Sequence, residues 1–177
     1  MTPESKYENM GGNSMKLLVP VDGSAASVNA IKKAIEIAKR ENSSIKFISV
    51  IRNEESRKFK RNENLWRQVD GSSIIEGRDT SLDKEEAVKK VKENAMDVLD
   101  SILTELDLGD VKIEKEILIG EPYEKILETV ENENFDLLVI ANRGFSKIKS
   151  FFLGSVVHRV ISESPCPVLV IHTDFES

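Results

Sequence analysis

The chain has 177 residues, 40% hydrophobic and 32% charged, enough for one globular domain with a core. Its formal net charge of −6 argues against non-specific binding to nucleic acid or to an anionic membrane. No apolar run approaches the ~20 residues that a bilayer-spanning helix needs.

The opening MTPESKYENMGGNS is polar and lacks an apolar signal core, so residues 1–14 read as a flexible tail and 15–177 as a single domain. KLLVPV (Lys16 to Val21) is apolar and β-branched and ends at Asp22-Gly23-Ser24, a strand followed by a turn. Val28, Ile31, Ile35 and Ala38 then recur at helical spacing. IKFISVI (Ile45 to Ile51) is a second strand. The polar stretch at about 52–83 has no clear period and is too long for an ordinary strand-to-helix loop, so it reads as an insertion. Lys58, Lys60, Arg61 and Arg67 lie there beside Phe59 and Trp66. Two readings stand for it: a solvated segment pinned by Trp66, or a partner contact or lid.

Val88, Val91, Ala95, Val98, Ile102 and Leu106 mark a long helix. VKIEKEILI (Val111 to Ile119) alternates, which suits an edge strand. Pro122, after Gly120-Glu121, opens a helix with Ile126, Leu127 and Val130 on its apolar face. DLLVIA (Asp136 to Ala141) is almost unbroken apolar sequence, as a central parallel strand should be. A helix from Ser155 to about Ser162 and a strand PVLVIH (Pro167 to His172) complete the chain. Strands alternating with helices predict an open parallel α/β sheet with right-handed crossovers and helices on both faces.

The single cysteine, Cys166, permits no internal disulfide, which suits a reducing cytosol; its Pro165 and Pro167 neighbours suggest a buried structural thiol. His158 and His172 form no metal-ligand spacing with it. GxxxxGK[ST] is absent, which excludes a P-loop, and the absence of GxGxxG argues against an ordinary dinucleotide site.

Ligands of open parallel sheets sit at the C-terminal ends of the strands, where strand order reverses. Asp22 ends the first strand, and ANRGFSKIKSFFLGSVV follows the fourth. Gly144 lets backbone N–H groups approach a ligand, and Gly154-Ser155 opens a helix whose free N–H groups favour an anion. Arg143, Lys147 and Lys149 make the loop positive. The bland alternative is a turn glycine, an N-cap serine and solvated lysines. Asp22 is likewise either a turn residue or an acceptor for a base, a ribose or a divalent cation.

Assembled, MKLLVPVDGS, FISVI, NRGFSKIKSFFLGSVVHRVI and PCPVLVI resemble the universal stress protein family, from about Met15 to Thr173. ATP-binding members carry G-x2-G-x9-G-[ST]; here Gly144, nine residues, Gly154 and Ser155 match, and Ala141 replaces the first glycine. The resemblance implies a five-stranded parallel sheet ordered 3-2-1-4-5, a Rossmann-like three-layer sandwich. It places ATP, with Mg2+ or Mn2+, against Pro20, Val21, Asp22 and Val50 at the base and ribose. Ala141, Arg143, Gly144, Gly154, Ser155 and Val156 fall in the phosphate loop. It also implies a homodimer through the C-terminal strand at 167–172. The implied function is a stress-response sensor or regulator with at most slow ATP hydrolysis, since no general base is evident. The competing reading is a dimeric interaction module that binds no nucleotide and acts through the 52–83 insertion. A response-regulator receiver does not fit, because the third strand ends in Ile119-Gly120-Glu121-Pro122 and the fifth in His172-Thr173.

Overall fold

The computed structural model describes residues 14–52, 82–142 and 153–172. The elements run β1 (Lys16–Pro20), α1 (Ala25–Glu41), β2 (Ser44–Ile51), α2 (Leu82–Thr104), β3 (Ile113–Ile119), α3 (Pro122–Glu133), β4 (Leu137–Asn142), α4 (Ser155–Glu163) and β5 (Val168–His172). The five strands form one sheet in the order β3-β2-β1-β4-β5, all pairs parallel. The 1–13 tail and the insertion at 53–81 lie outside the described residues.

Element limits differ slightly from the sequence expectation. β1 stops at Pro20, although the Val21 N–H still donates to the Ile48 carbonyl at 2.8 Å. The long helix ends at Thr104, and Leu106 instead donates back to Leu103 in a closing turn. It begins at Leu82, inside the stretch assigned to the insertion.

Alternation along the strands builds two cores. Leu17, Val19, Phe47 and Val139 face one side, against Ala30, Ile31, Ala34 and Ala38 of α1 and Leu99 and Leu103 of α2. Leu18, Ile48, Leu138 and Ile140 face the other, against Ile126 and Val130 of α3 and Val157 and Val160 of α4. A buried aliphatic side chain of this size contributes about 1.5–3 kcal/mol. The small stripe Ala26, Ala30, Ala34 and Ala38 lets α1 lie close on the central strands.

The N-terminal end of the sheet is closed by charge. Lys46 is 8% exposed in an otherwise apolar stretch of β2. It pairs with Glu116 of β3 at 2.8 Å and with Glu133 at the end of α3. Glu133 also takes Lys16 at 2.9 Å, and the Lys16 ammonium stands 4.4 Å from the centre of the Phe135 ring. The Lys16 N–H donates to the Asp136 carboxylate at 2.8 Å. Burial alone would raise the Glu133 carboxyl, but hydrogen bonds and charge from Lys46 and Lys16 outweigh it and hold it below its ordinary value. Burial would likewise lower Lys46, and its two glutamates outweigh that and raise it.

Candidate functional site at the C-terminal end of the sheet

The two central strands separate towards their C-terminal ends. β1 and β4 pair at Leu17–Leu137 and Leu18–Leu138. Beyond that level β1 continues paired with β2, up to Pro20–Ile48, and β4 continues paired with β5, up to Asn142–His172. Strand order reverses here, with β2 following from β1 on one side and β5 from β4 on the other.

On the β1 side, half-buried Pro20, buried Val21 and exposed Asp22 lead into the turn. Gly23 adopts φ +76, a left-handed backbone that side chains disfavour. The Asp22 carboxylate accepts from the Ser24 N–H at 2.9 Å and from the Ser24 hydroxyl. Ser24 in turn caps α1, accepting from the Ser27 N–H at 3.2 Å. Asp22 is therefore a turn residue in its own right. Half-buried Val50 stands next to the end of β2, registered with Leu118.

On the β4 side, Ala141 is an ordinary strand residue registered with Ile171. Its φ is not positive, and it packs against the α1-side core. The next residue, Asn142, points to the other face, where α4 begins, and is 2% exposed. Its Oδ1 accepts from the Gly154 N–H at 3.1 Å, and its Nδ2 lies 3.4 Å from Nδ1 of His172.

Gly154 is the N-cap of α4 and supplies no side-chain cap to the first turn. Its φ of −58 and ψ of 152 are open to any residue. A Cβ built on it would meet, among the described residues, just the Asn142 Oδ1 at 3.9 Å, an ordinary contact. Neither backbone strain nor a described neighbour therefore demands glycine there. Exposed Ser155 and half-buried Val156 follow as the first helical residues. Arg143 and Gly144, with the loop through 152, lie outside the described residues.

The remaining expected site residues thus come from the ends of β1, β2 and β4 and from the start of α4, all at one end of the sheet. Asn142 was not singled out from the sequence; its signal was a lone amide closing the apolar run LLVIAN. Among the described residues no group of three or more His, Cys, Asp or Glu could hold a metal ion. Cys166 is half-buried, with its thiol 3.6 Å from the Ser164 hydroxyl. No described helix is long and apolar enough to cross a membrane.

The sequence profile of the universal stress protein family matches residues 13–63 and 64–172. The chain belongs to the universal stress protein family. It is 33% identical over 156 residues to a universal stress protein of Methanocaldococcus jannaschii, covering 88% of this chain and 81% of that one. It is 28% identical to universal stress protein YxiE of Bacillus subtilis, covering 88% and 97%. Among solved structures, the universal stress protein UspA of Lactobacillus plantarum superposes with a TM-score of 0.57 at 22% identity, over 89% of this chain and 97% of that one. A universal stress protein solved in complex with cAMP superposes with a TM-score of 0.54 at 24% identity, over 91% and 98%. These likenesses place the sheet order and layering within the family fold.

Proposed function

We propose that this universal stress protein binds an adenine nucleotide, with ATP as its ligand, at the C-terminal ends of β1 and β4. It would act as a sensor or regulator with at most slow hydrolysis. Gly154 carries this reading. It is a helix-capping glycine that neither its backbone nor a described neighbour requires, at the start of a helix with no side-chain cap. A ligand that must approach the backbone accounts for it, and the dipole of α4 favours an anionic one. Phosphates would lie at Gly154, Ser155 and Val156, with Arg143 and Gly144 completing the loop. Base and ribose would lie against Pro20, Val21, Asp22 and Val50. A Mg2+ or Mn2+ ion would be held chiefly by the phosphates, with the Asp22 carboxylate at the end of β1 as a candidate protein oxygen.

The Ala141 substitution is compatible with this placement. Its methyl packs into the α1-side core, while α4 begins on the opposite face. The cAMP bound by a family neighbour adds support for an adenine ligand.

Self-association along β5 belongs to the same proposal. β5 is an edge strand, and Val168, Leu169, Val170 and Ile171 are all partly exposed. An edge of this kind is stabilised when a second strand or layer covers it. Light scattering across a concentration series checks it: a monomer throughout would remove the dimer.

Calorimetric titration of the whole chain with ATP, with and without Mg2+, tests the nucleotide reading. Saturable heat is expected. No heat from any adenine nucleotide at millimolar concentration would remove it, and leave the interaction module as the reading to pursue.

A further inference from the structure

We infer that Asn142 is a positioning residue that sets the start of α4 for the phosphates; this rests on the nucleotide reading above. Three observations converge on it. It is 2% exposed, so its amide cannot be satisfied by bulk water. Its Oδ1 holds the Gly154 N–H at 3.1 Å, across 12 residues of sequence. Its Nδ2 faces His172 Nδ1 at 3.4 Å on the neighbouring strand.

The Gly154 N–H fixes the orientation of the amide: an N–H is met by Oδ1 and not by the amino group, which leaves Nδ2 on the His172 side. The amide thus spans from the edge strand, through β4, to the N-cap of α4. By binding the Gly154 N–H it removes that donor from the ligand. The N–H groups of Ser155 and Val156, one and two residues further on, are left pointing out of the helix end. Asn142 therefore decides which backbone donors face the anion and holds them still before it arrives. Pre-organised donors of this kind bind an anion without further ordering cost.

The effect is specific to phosphate. Adenosine, which lacks the anion, should not feel it. The test measures ATP and adenosine affinities of the full chain by calorimetry, together with hydrogen exchange of the Gly154 amide without ligand. Asn142→Ala should speed exchange at Gly154 and weaken ATP on the order of tenfold, with adenosine unchanged. Asn142→Asp keeps an acceptor for Gly154 and adds a charge beside the phosphates. It should preserve slow exchange yet weaken ATP, and the deficit should shrink as salt is raised. Urea unfolding of both variants separates a loss of fold from a loss of phosphate binding. Unchanged ATP affinity in both variants, or parallel loss of ATP and adenosine, would overturn the assignment. So would unchanged Gly154 exchange in Asn142→Ala. If the wild-type chain binds no ATP, the nucleotide reading fails first; the exchange arm then reports whether the amide clamp exists at all.

Discussion

The two ends of the sheet solve opposite problems with similar residue types. At the N-terminal end Lys16, Lys46, Glu116 and Glu133 satisfy one another, and the charge is consumed inside the fold. At the C-terminal end polar side chains are spent on holding backbone: Ser24 caps α1 and Asn142 fixes Gly154. The two helix starts there differ in turn. α1 has a serine cap, and α4 has a glycine with no side chain to offer. One end is closed by charge, and at the other α4 starts without a side-chain cap from its N-cap residue.

The comparison breaks most visibly at Lys46. Lys46→Ala leaves two carboxylates without their shared cation and should cost about 2 kcal/mol, discounted because both glutamates are partly exposed. Lys46→Met loses the same cation but keeps the stem volume, so it should cost less than Lys46→Ala, about 1 kcal/mol. Urea unfolding measures both, and ATP affinity should not change in either.

The same cluster sets an acid limit. Glu133 is held below its ordinary 4.5, so its contribution is present above that pH and is lost as pH falls through the lowered folded value. Lys46 is raised above 10.5, so its contribution holds below that and is lost as pH rises through the raised value. Unfolding midpoints between pH 7 and pH 3 should therefore fall more steeply for wild type than for Lys46→Met. Equal slopes would place the acid sensitivity elsewhere.

A smaller effect sharpens the contrast between the helix starts. Ser24→Ala removes the α1 cap and should cost about 1 kcal/mol in urea unfolding. A negligible change would mean that Ser24 serves Asp22 more than it serves the helix. Smallest of all, Ala141→Gly should shift ATP affinity by less than about threefold, because the methyl it removes faces the α1-side core. A gain well above tenfold would show that the methyl obstructs the ligand.

Much of the fold was legible because its signals are local. Apolar runs such as LLVIA, helical spacing such as Ile31 and Ile35, and the Gly-Glu-Pro start of α3 each name an element without tertiary information. The strand order came from the resemblance to the family, not from periodicity. Two features escaped a one-dimensional reading. Lys46 sits within IKFISVI, and its burial became explicable once Glu116 and Glu133 arrived from β3 and α3. Asn142 looked like the start of a loop, and its role needed Gly154 brought back against it. Both depend on partners far along the chain, which spacing does not reveal.

The central claim is that Gly154 is glycine for a ligand and not for the fold. Titrating ATP into wild type and Gly154→Val, with urea unfolding of both, tests it most directly. The account predicts stability within about 1 kcal/mol of wild type, given the permissive backbone and the ordinary contact that a Cβ would make among the described residues. It also predicts that ATP affinity falls by about a hundredfold or more. A variant that binds ATP as wild type does, or that loses stability and affinity together, would contradict it.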